Sequence, residues 1–257
     1  MQVSTSGIII LEKDISENDK LVTILTKDWG VIRAFAKGAK KLKNKNFSAL
    51  SLFSYSDLVL YKGRDKYIIN DAYLKKSFFE LRKNIENIAL SQYFCEVVLA
   101  LVGESPESEN VLRLILNSFY YLMEEKQDRS IIKSVFEMRV LSMSGYMPDL
   151  TMCANCGKFS DTKMNFVLTK GQLICSDCSK RQLGTIELNS DVLAALRYTV
   201  YAEFNKMFSF TLSNENKKKL ARITEQYLLH CVDKNLKTLD FYNRINTEYR
   251  RDLEEVK

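Results

Sequence analysis

Hydrophobic and polar residues alternate over short stretches in the first part of the chain, which is the pattern of β-strands. A turn-forming Asp28-Trp29-Gly30 and a hairpin-forming Lys62-Gly63-Arg64-Asp65 separate these stretches. Five short strands with a longer connection between the third and fourth predict a small OB-fold barrel, and an SH3-like barrel is the alternative. The predicted strands are Gly7–Leu11, Lys20–Thr26, Val31–Ala36, Asp57–Tyr61 and Tyr67–Asn70.

From about Leu81 the apolar residues recur every three or four positions, which predicts amphipathic helices whose apolar stripes form a core. The helical stretches are Ile85–Val98, Val111–Leu122, Ile131–Leu141, Asp191–Tyr198 and a final helix from about Lys217 to Leu236. The charged tail Tyr249–Lys257 is expected to be frayed or disordered. The fold class is therefore α+β multidomain: an N-terminal five-stranded OB-fold barrel followed by an all-α helical domain.

Four cysteines interrupt the helical pattern as two Cys-x-x-Cys pairs, which eighteen residues separate. Each pair can hold one ion from a tight turn, and two such turns supply the four thiolates of a tetrahedral Zn²⁺ site. Disulfides and a redox pair are the alternatives, but disulfide scaffolds are short and secreted, and a redox Cys-x-x-Cys occurs alone. We therefore predict one structural Zn²⁺, bound by Cys153, Cys156, Cys175 and Cys178.

This module gives the predicted domain limits. An OB-fold nucleic-acid-binding domain is expected over residues 1–80, a helical domain over 81–149 and 181–245, and an inserted zinc module over 150–180. The module has few apolar residues of its own, so bound metal is expected to hold it together. Cys95 and Cys231 lie in apolar helical stretches, where we expect buried and inert thiols.

The formal net charge of +6 comes from one segment. Between Trp29 and Ser56 there is no Asp or Glu, and this segment carries six cations. A lysine-rich run is usually a solvated loop, but these charges lie beside a barrel type that binds single strands through basic grooves and aromatic stacking. The candidate stacking aromatics are Trp29, Phe35, Phe47, Phe53 and Tyr55, and the cations are Arg33, Lys37, Lys40, Lys41, Lys43 and Lys45.

Catalytic patterns are missing from the sequence. Its one histidine, His230, lies late in an apolar helical stretch, and no G-x-x-x-x-G-K-[ST] motif occurs. A four-thiolate zinc site also has no open position for an activated water. We expect a protein that is not an enzyme; a zinc-dependent enzyme of unknown type is the minor alternative.

No run of about twenty apolar residues that could span a membrane is present, nor is an apolar signal segment at the start. We therefore expect no membrane association and a cytoplasmic protein.

Several segments in this order resemble the RecO family of bacterial recombination mediators. They cover the predicted barrel and the helix that leads into the cysteine module, and together they extend to about residue 240. The segments are Gly7–Leu11, Asn18–Thr26, Gly30–Lys41, Phe136–Leu141, Gly145–Leu150 and Cys153–Gly157. Some members of that family lack part of the cysteine set, whereas this sequence has all four.

The resemblance implies a DNA-repair factor of the RecF pathway. Such a protein binds single- and double-stranded DNA, anneals complementary strands and, with RecR, helps to load RecA onto strands coated by single-strand-binding protein, whose C-terminal tail it contacts. It also implies that Arg33, Lys37, Lys40 and Lys41 contact DNA, with Lys43 and Lys45 extending the region. The residues alone leave open a generic zinc-containing OB-fold protein that acts on RNA.

Overall fold

A computed structural model of the chain describes residues 1–41, 44, 46–64, 66–104, 108–160, 162–180 and 184–246. The backbone forms two compact units, one of residues 1–124 and 236–247 and the other of residues 125–235 and 248–257. Among the described residues, no helix is both long and apolar enough to cross a membrane.

Five strands of the first unit close into a barrel in the order β1-β2-β3-β5-β4. Neighbouring strands are antiparallel except for β3 and β5, which are parallel. This order confirms the predicted OB-fold class, with strands longer than the predicted ones where the alternation continues into exposed residues. The strands are β1 Gln2–Asp14, β2 Lys20–Thr26, β3 Gly30–Ala36, β4 Ser54–Lys62 and β5 Tyr67–Ser77.

Alternate residues of these strands fill the barrel. Val22 and Ile24 of β2 and Ile32 and Ala34 of β3 point inward and are fully buried. Gly7 of β1 permits close approach to β2, because a Cβ atom there would lie 2.7 Å from Cγ2 of Ile24 and 2.8 Å from the carbonyl oxygen of Leu25. A side chain at residue 7 would therefore push the two strands apart.

The described residues contain seven helices. The last of them follows the predicted final helix and was not predicted. The predicted last helix, Lys217 to Leu236, is instead Asn214–Cys231, and a separate helix follows it. The tail from Tyr249 lies outside the described residues. The helices are α1 Ile85–Leu101, α2 Glu109–Met123, α3 Arg129–Met143, α4 Ser176–Ser179, α5 Ser190–Tyr201, α6 Asn214–Cys231 and α7 Lys237–Ile245.

Helices α1, α2 and α7 belong to the barrel's unit. Asn84 caps α1 by accepting hydrogen bonds from the backbone N–H groups of the first turn. Glu96 of α1 accepts a 2.8 Å hydrogen bond from the backbone N–H of Thr238, which holds the start of α7 against α1. Phe119 of α2 packs edge-on against Phe53, 5.1 Å between ring centroids, and so joins the helices to the end of the barrel.

The second unit contains α3, α5, α6 and a small sheet that the periodicity did not predict. Its four short strands have the order β6-β8-β7-β9 and carry the cysteine pairs. The helices of the predicted helical domain are thus divided between the two units, and the domain limits stay a prediction. The strands are β6 Asp149–Cys153, β7 Met164–Val167, β8 Gln172–Ile174 and β9 Thr185–Leu188.

A buried charge cluster joins α3 and α6 in this unit. Lys133 Nζ lies 2.7 Å from Glu137 Oε1 and 2.8 Å from Glu225 Oε2, and the side chains of Lys133 and Glu137 are 1% and 0% exposed. Thr224 donates a 2.6 Å hydrogen bond to Glu137 Oε2. Burial raises the pKa of Glu137, although Lys133 acts in the opposite direction.

Candidate metal centre and nucleic-acid interface

The four cysteines of the two pairs converge on one point. The sulfur atoms of Cys153, Cys156, Cys175 and Cys178 all lie within 4.8 Å of one another, and those of Cys156 and Cys175 are 3.7 Å apart. A tetrahedral zinc site with bonds of about 2.3 Å places its sulfurs about 3.8 Å apart. The cluster therefore has the size and the donor set of a four-thiolate metal site.

The first pair is held by a tight turn after β6. The backbone N–H of Cys153 donates to the carbonyl of Lys158 at 2.9 Å, and that of Gly157 donates to the carbonyl of Cys153 at 2.8 Å. Gly157 has a φ of +70°, a left-handed conformation that a glycine adopts without steric cost. This turn directs Cys153 and Cys156 toward the same point.

The second pair lies where β8 leads into the short helix α4. Cys175 is the residue before this helix and Cys178 lies within it. The backbone N–H of Ala154 donates to the carbonyl of Leu173 at 2.8 Å, which connects the first turn to β8. Two turns distant in sequence are thereby fixed side by side.

The four thiols differ in acidity. Burial raises the pKa of Cys153, but backbone N–H groups of the two turns, first that of Cys175, outweigh it and lower the pKa to about 6. A backbone hydrogen bond from Cys178 lowers the pKa of Cys175. Hydrogen bonding to Cys175 raises the pKa of Cys178 to about 12. The pKa values of Cys153 and Cys175 are thus lowered, and a bound cation would displace the remaining thiol protons.

Residues of α5 hold the metal module from outside. Arg197 donates to the carbonyls of Leu150 at 2.8 Å and Ser160 at 3.0 Å, and its guanidinium lies 4.8 Å from the ring centroid of Phe159. Inside the sheet, Phe166 packs edge-on against Tyr227 of α6, with 5.4 Å between centroids. The module is thus attached to the helices of its unit by hydrogen bonds and an aromatic contact.

The predicted DNA-contacting cations lie along β3 and just after it. Arg33, Lys37 and Lys41 are exposed and Lys40 is half-buried. Lys43 and Lys45 lie outside the described residues. The four described cations, Arg33, Lys37, Lys40 and Lys41, are called the basic strip below.

Two acids from the connection between β1 and β2 lie beside the basic strip. Asp14 Oδ2 is 2.9 Å from Lys40 Nζ. Asp19 Oδ1 accepts a 2.7 Å hydrogen bond from the Gly38 N–H, which is the main cause of its lowered pKa, and the charges of Lys37 and Lys41 lower it further. The sequence separates these acids from the cations, but the barrel brings them together and reduces the net charge of the strip.

The candidate aromatics have different surroundings. Phe53 is fully buried, and Trp29 stacks on Tyr67 at the edge of the barrel core with 6.1 Å between centroids. Phe47 and Tyr55 are half-buried, whereas Phe35, on the outside of β3, is 38% exposed. Of the five, Phe35 therefore offers the most accessible ring.

The single histidine and the two remaining cysteines lie outside the cluster of four cysteines. His230 is exposed on α6, and Cys231 next to it is half-buried. Cys95 is buried in α1, and burial raises its pKa well above the usual value. The expected burial of the thiol is confirmed at Cys95. The side chain of Cys231 is less buried than expected.

Comparisons with known proteins agree with the resemblance. The family model described as Recombination protein O N terminal matches residues 1–78, and that described as Recombination protein O C terminal matches residues 82–240. The chain is 32% identical over 244 residues to the DNA repair protein RecO of Acetivibrio thermocellus, covering 95% of this chain and 97% of the relative. It is 28% identical over 246 residues to the RecO of Clostridium novyi, covering 95% of each.

Proposed function

The chain belongs to the recombination protein O family, and from this premise we propose that it acts in DNA repair as a recombination mediator that is not an enzyme. In this proposal it binds single- and double-stranded DNA in the cytoplasm and anneals complementary strands. With RecR, it assists the loading of RecA onto strands coated by single-strand-binding protein. The family match over both parts of the chain is the observation that carries the proposal.

The basic strip supports a role in contacting the DNA backbone. Exposed cations on an OB-fold barrel can reach phosphates, and phosphate contacts give affinity without sequence preference. Lysine predominates in the strip, and its compact charge suits phosphate attraction more than the paired base contacts typical of arginine. A protein that anneals strands of any sequence needs this kind of contact.

We propose that the cysteine cluster holds one structural Zn²⁺. Its four thiolates would fill the coordination sphere, so the ion would supply folding free energy and no activated water. The proposed role of Cys153, Cys156, Cys175 and Cys178 is to fix the two turns of the module, which its short strands alone would hold weakly.

We place the protein-partner surfaces, for RecR and for the C-terminal tail of single-strand-binding protein, on the helices. Outside residues 29–56 the formal charges sum to zero, so those parts of the chain do not require a polyanionic partner. An acidic peptide with an apolar end can still bind a local groove that has Lys or Arg at its rim.

The decisive experiment is annealing of complementary oligonucleotides coated with single-strand-binding protein, with and without this chain. The proposal expects annealing only when the chain is present, with the metal-loaded full-length protein. Equal annealing rates in both reactions would contradict it. Parallel affinities for single-stranded DNA and RNA of the same sequence separate DNA repair from an RNA-binding role, which would show as a preference for RNA.

A second measurement tests the cations of the basic strip together with Lys43. If about four cations contact phosphates, the plot of log affinity against log salt for single strands should have a slope of roughly −3. Replacing Lys37, Lys40, Lys41 and Lys43 by Ala together should remove most of this slope and leave the fold intact, because Lys37 and Lys41 are exposed and a surface ion pair such as that of Lys40 with Asp14 adds little stability. A folded quadruple variant with unchanged affinity and slope would place the DNA site elsewhere.

A further inference from the structure

The outer surface of strands β1 to β3 is divided into a covered half and an open half. Ile8 and Leu25 are paired across β1 and β2, have no exposed surface, and lie on the half that α1 and α2 cover. Beyond the bulge after Ile9, Leu11 and Lys13 of β1 are exposed. The barrel therefore leaves part of a strand surface uncovered within its own unit.

Strand pairing defines the open half as two rows. Leu11, Thr23 and Arg33 form one row across the three strands, and Lys13, Leu21 and Phe35 form the next. Residues between them, such as Val22 and Ala34, point into the barrel, so alternation directs these six side chains outward. Thr23 is only 4% exposed and Leu21 is half-buried, so we give the name open face to the exposed side chains of the two rows, which are Leu11, Lys13, Arg33 and Phe35.

The open face combines apolar and cationic groups. Leu11 is 48% exposed, and Phe35 is 38% exposed although it lies between β2 and β5, with Leu21 and Ile68 as its strand partners. Exposed cations flank them: Lys13 on β1, Arg33 on β3 and Lys37 just after β3. An aromatic ring with cations on both sides fits a chain that carries flat apolar groups and anionic links, which describes single-stranded nucleic acid.

The outer face of β4 and β5 provides a contrast on the same barrel. Tyr73 is 58% exposed, more than Phe35. However, Asp57 lies opposite Tyr73 on β4, and the Tyr73 hydroxyl donates a 2.9 Å hydrogen bond to Asp71 Oδ2. Phosphates approaching this aromatic would meet carboxylates. Exposure alone would select Tyr73, whereas charge complementarity selects Phe35.

We propose that Phe35 stacks on an unpaired base of single-stranded DNA on the open face, with Arg33, Lys37 and Lys13 on the adjoining phosphates. This inference rests on the proposed DNA-binding function and names the aromatic that acts in it. A duplex keeps its bases stacked inside the helix, so Phe35 contributes to the binding of single strands and not of duplexes. The basic strip would attract both forms, and Phe35 would distinguish them.

The test compares Phe35→Ala, Phe35→Leu and Phe35→Trp with Tyr73→Ala as the matched control, all in the full-length, metal-loaded protein. Affinity for a single strand and for a duplex is measured over a range of salt concentrations. Phe35→Ala and Phe35→Leu should bind the single strand about ten-fold more weakly, since base stacking on an aromatic supplies about this much. Duplex affinity and both salt slopes should be unchanged, because no phosphate contact is lost.

Phe35→Trp should bind the single strand at least as well as the native protein, and Tyr73→Ala should bind both forms normally. Native-like binding of the single strand by folded Phe35→Ala would overturn the inference while leaving the proposed function intact. Equal losses for single strand and duplex would also overturn it, as would a loss of partner-protein binding without a loss of DNA binding. If the native protein bound neither form of DNA, the proposed function itself would fail.

Discussion

The two compact units arrange their charged groups in opposite ways. In the second unit charges converge: four thiols meet within 4.8 Å, and Lys133 is buried between two glutamates. In the first unit the cations of the basic strip are spread over the barrel surface. Lys133 and its two glutamates compensate each other, and the four thiols, once deprotonated, need a bound cation to compensate their like charges. The spread cations remain accessible to an anionic partner. The two units should therefore respond differently when a charged group is removed, one in stability and the other in binding.

The largest effect is expected at the metal site. Replacing Cys153 by Ser removes one ligand and should destabilise the second unit by several kcal/mol, because the free energy of metal binding is part of its folding free energy. Elemental analysis should show one zinc per native chain and much less in the variant, and denaturant unfolding gives the loss of stability.

The matched control for this prediction is Cys231→Ser, the same exchange at a cysteine outside the cluster. It should keep the metal and unfold nearly as the native chain does. A native chain purified without chelator that contains well under one zinc would contradict the structural metal site.

Removing the buried cation comes next. Lys133→Met leaves Glu137 and Glu225 without their shared partner and should cost about 3–5 kcal/mol at neutral pH. Loss of this cation removes an effect that lowers the pKa of Glu137, so the folded-state pKa should rise further above the unfolded value. Stability of the variant relative to the native chain should therefore recover as the pH falls, because protonated Glu137 tolerates burial.

Denaturant unfolding at several pH values checks this prediction, with Lys133→Met combined with Glu137→Gln as the control. The double variant removes both charges of the pair and should be less destabilised than the single one. An equally unstable double variant would show that packing around residue 133, and not the charge, carries the effect.

A smaller effect, in binding and not in stability, is expected at the basic strip. Asp14→Asn removes the acid 2.9 Å from Lys40 and should release that cation for phosphate contact. Affinity for single strands should increase, and the salt slope should become steeper by up to about 0.7, the value of one contact. Glu203→Gln, which breaks a 2.9 Å surface pair with Lys206, adds the same charge elsewhere. Equal gains in both variants would indicate an effect of net charge alone.

The smallest effect concerns one exposed pair in the second unit. Asp128 caps α3 and lies 3.0 Å from Lys217; burial raises its pKa, but hydrogen bonds from Ser130 and Lys217 outweigh this and lower it. A depressed folded-state pKa stabilises the protein above the unfolded pKa, and this stability is lost as the pH falls through the folded value. Asp128→Asn should cost about 0.5 kcal/mol at neutral pH after solvent screening.

The pH dependence of thermal unfolding checks that assignment. The difference between Asp128→Asn and the native chain should shrink as the pH falls below the unfolded pKa of about 4, and it should disappear once the pH is below the lowered folded-state pKa, where the carboxyl is protonated in both states. A difference that persists in acid would reflect the helix cap and not the charge.

Structures that depend on short sequence patterns were predicted correctly. Strand Lys20–Thr26 has the predicted bounds, and the barrel class is confirmed, because alternation over seven residues reflects local geometry. The sheet β6 to β9 was missed because its strands have only three to five residues, too few for a period to show. Helix α7 was missed because α6 ends at Cys231 and the helix that follows has only nine residues.

The roles of the aromatic residues show the limit of sequence reasoning. Phe35 and Phe53 are both phenylalanines near the basic segment, yet Phe53 is buried against Phe119 while Phe35 is exposed among cations. Phe53 has a φ of +68°, a conformation that nothing in its neighbouring residues predicts. Which ring fills the core depends on contacts with α2, more than sixty residues later.

The sequence by itself determined the barrel, the helical regions, the cluster of four cysteines and the origin of the net charge. These features depend on spacing and composition within short segments, where backbone geometry limits the possible structures. Tertiary structure alone decided that Asp14 neutralises Lys40, that Lys133 is enclosed by glutamates from two helices, and that Phe35 lies on an open face. Electrostatic and packing energies depend on distances in space, and chain folding sets those distances between residues that are far apart in sequence.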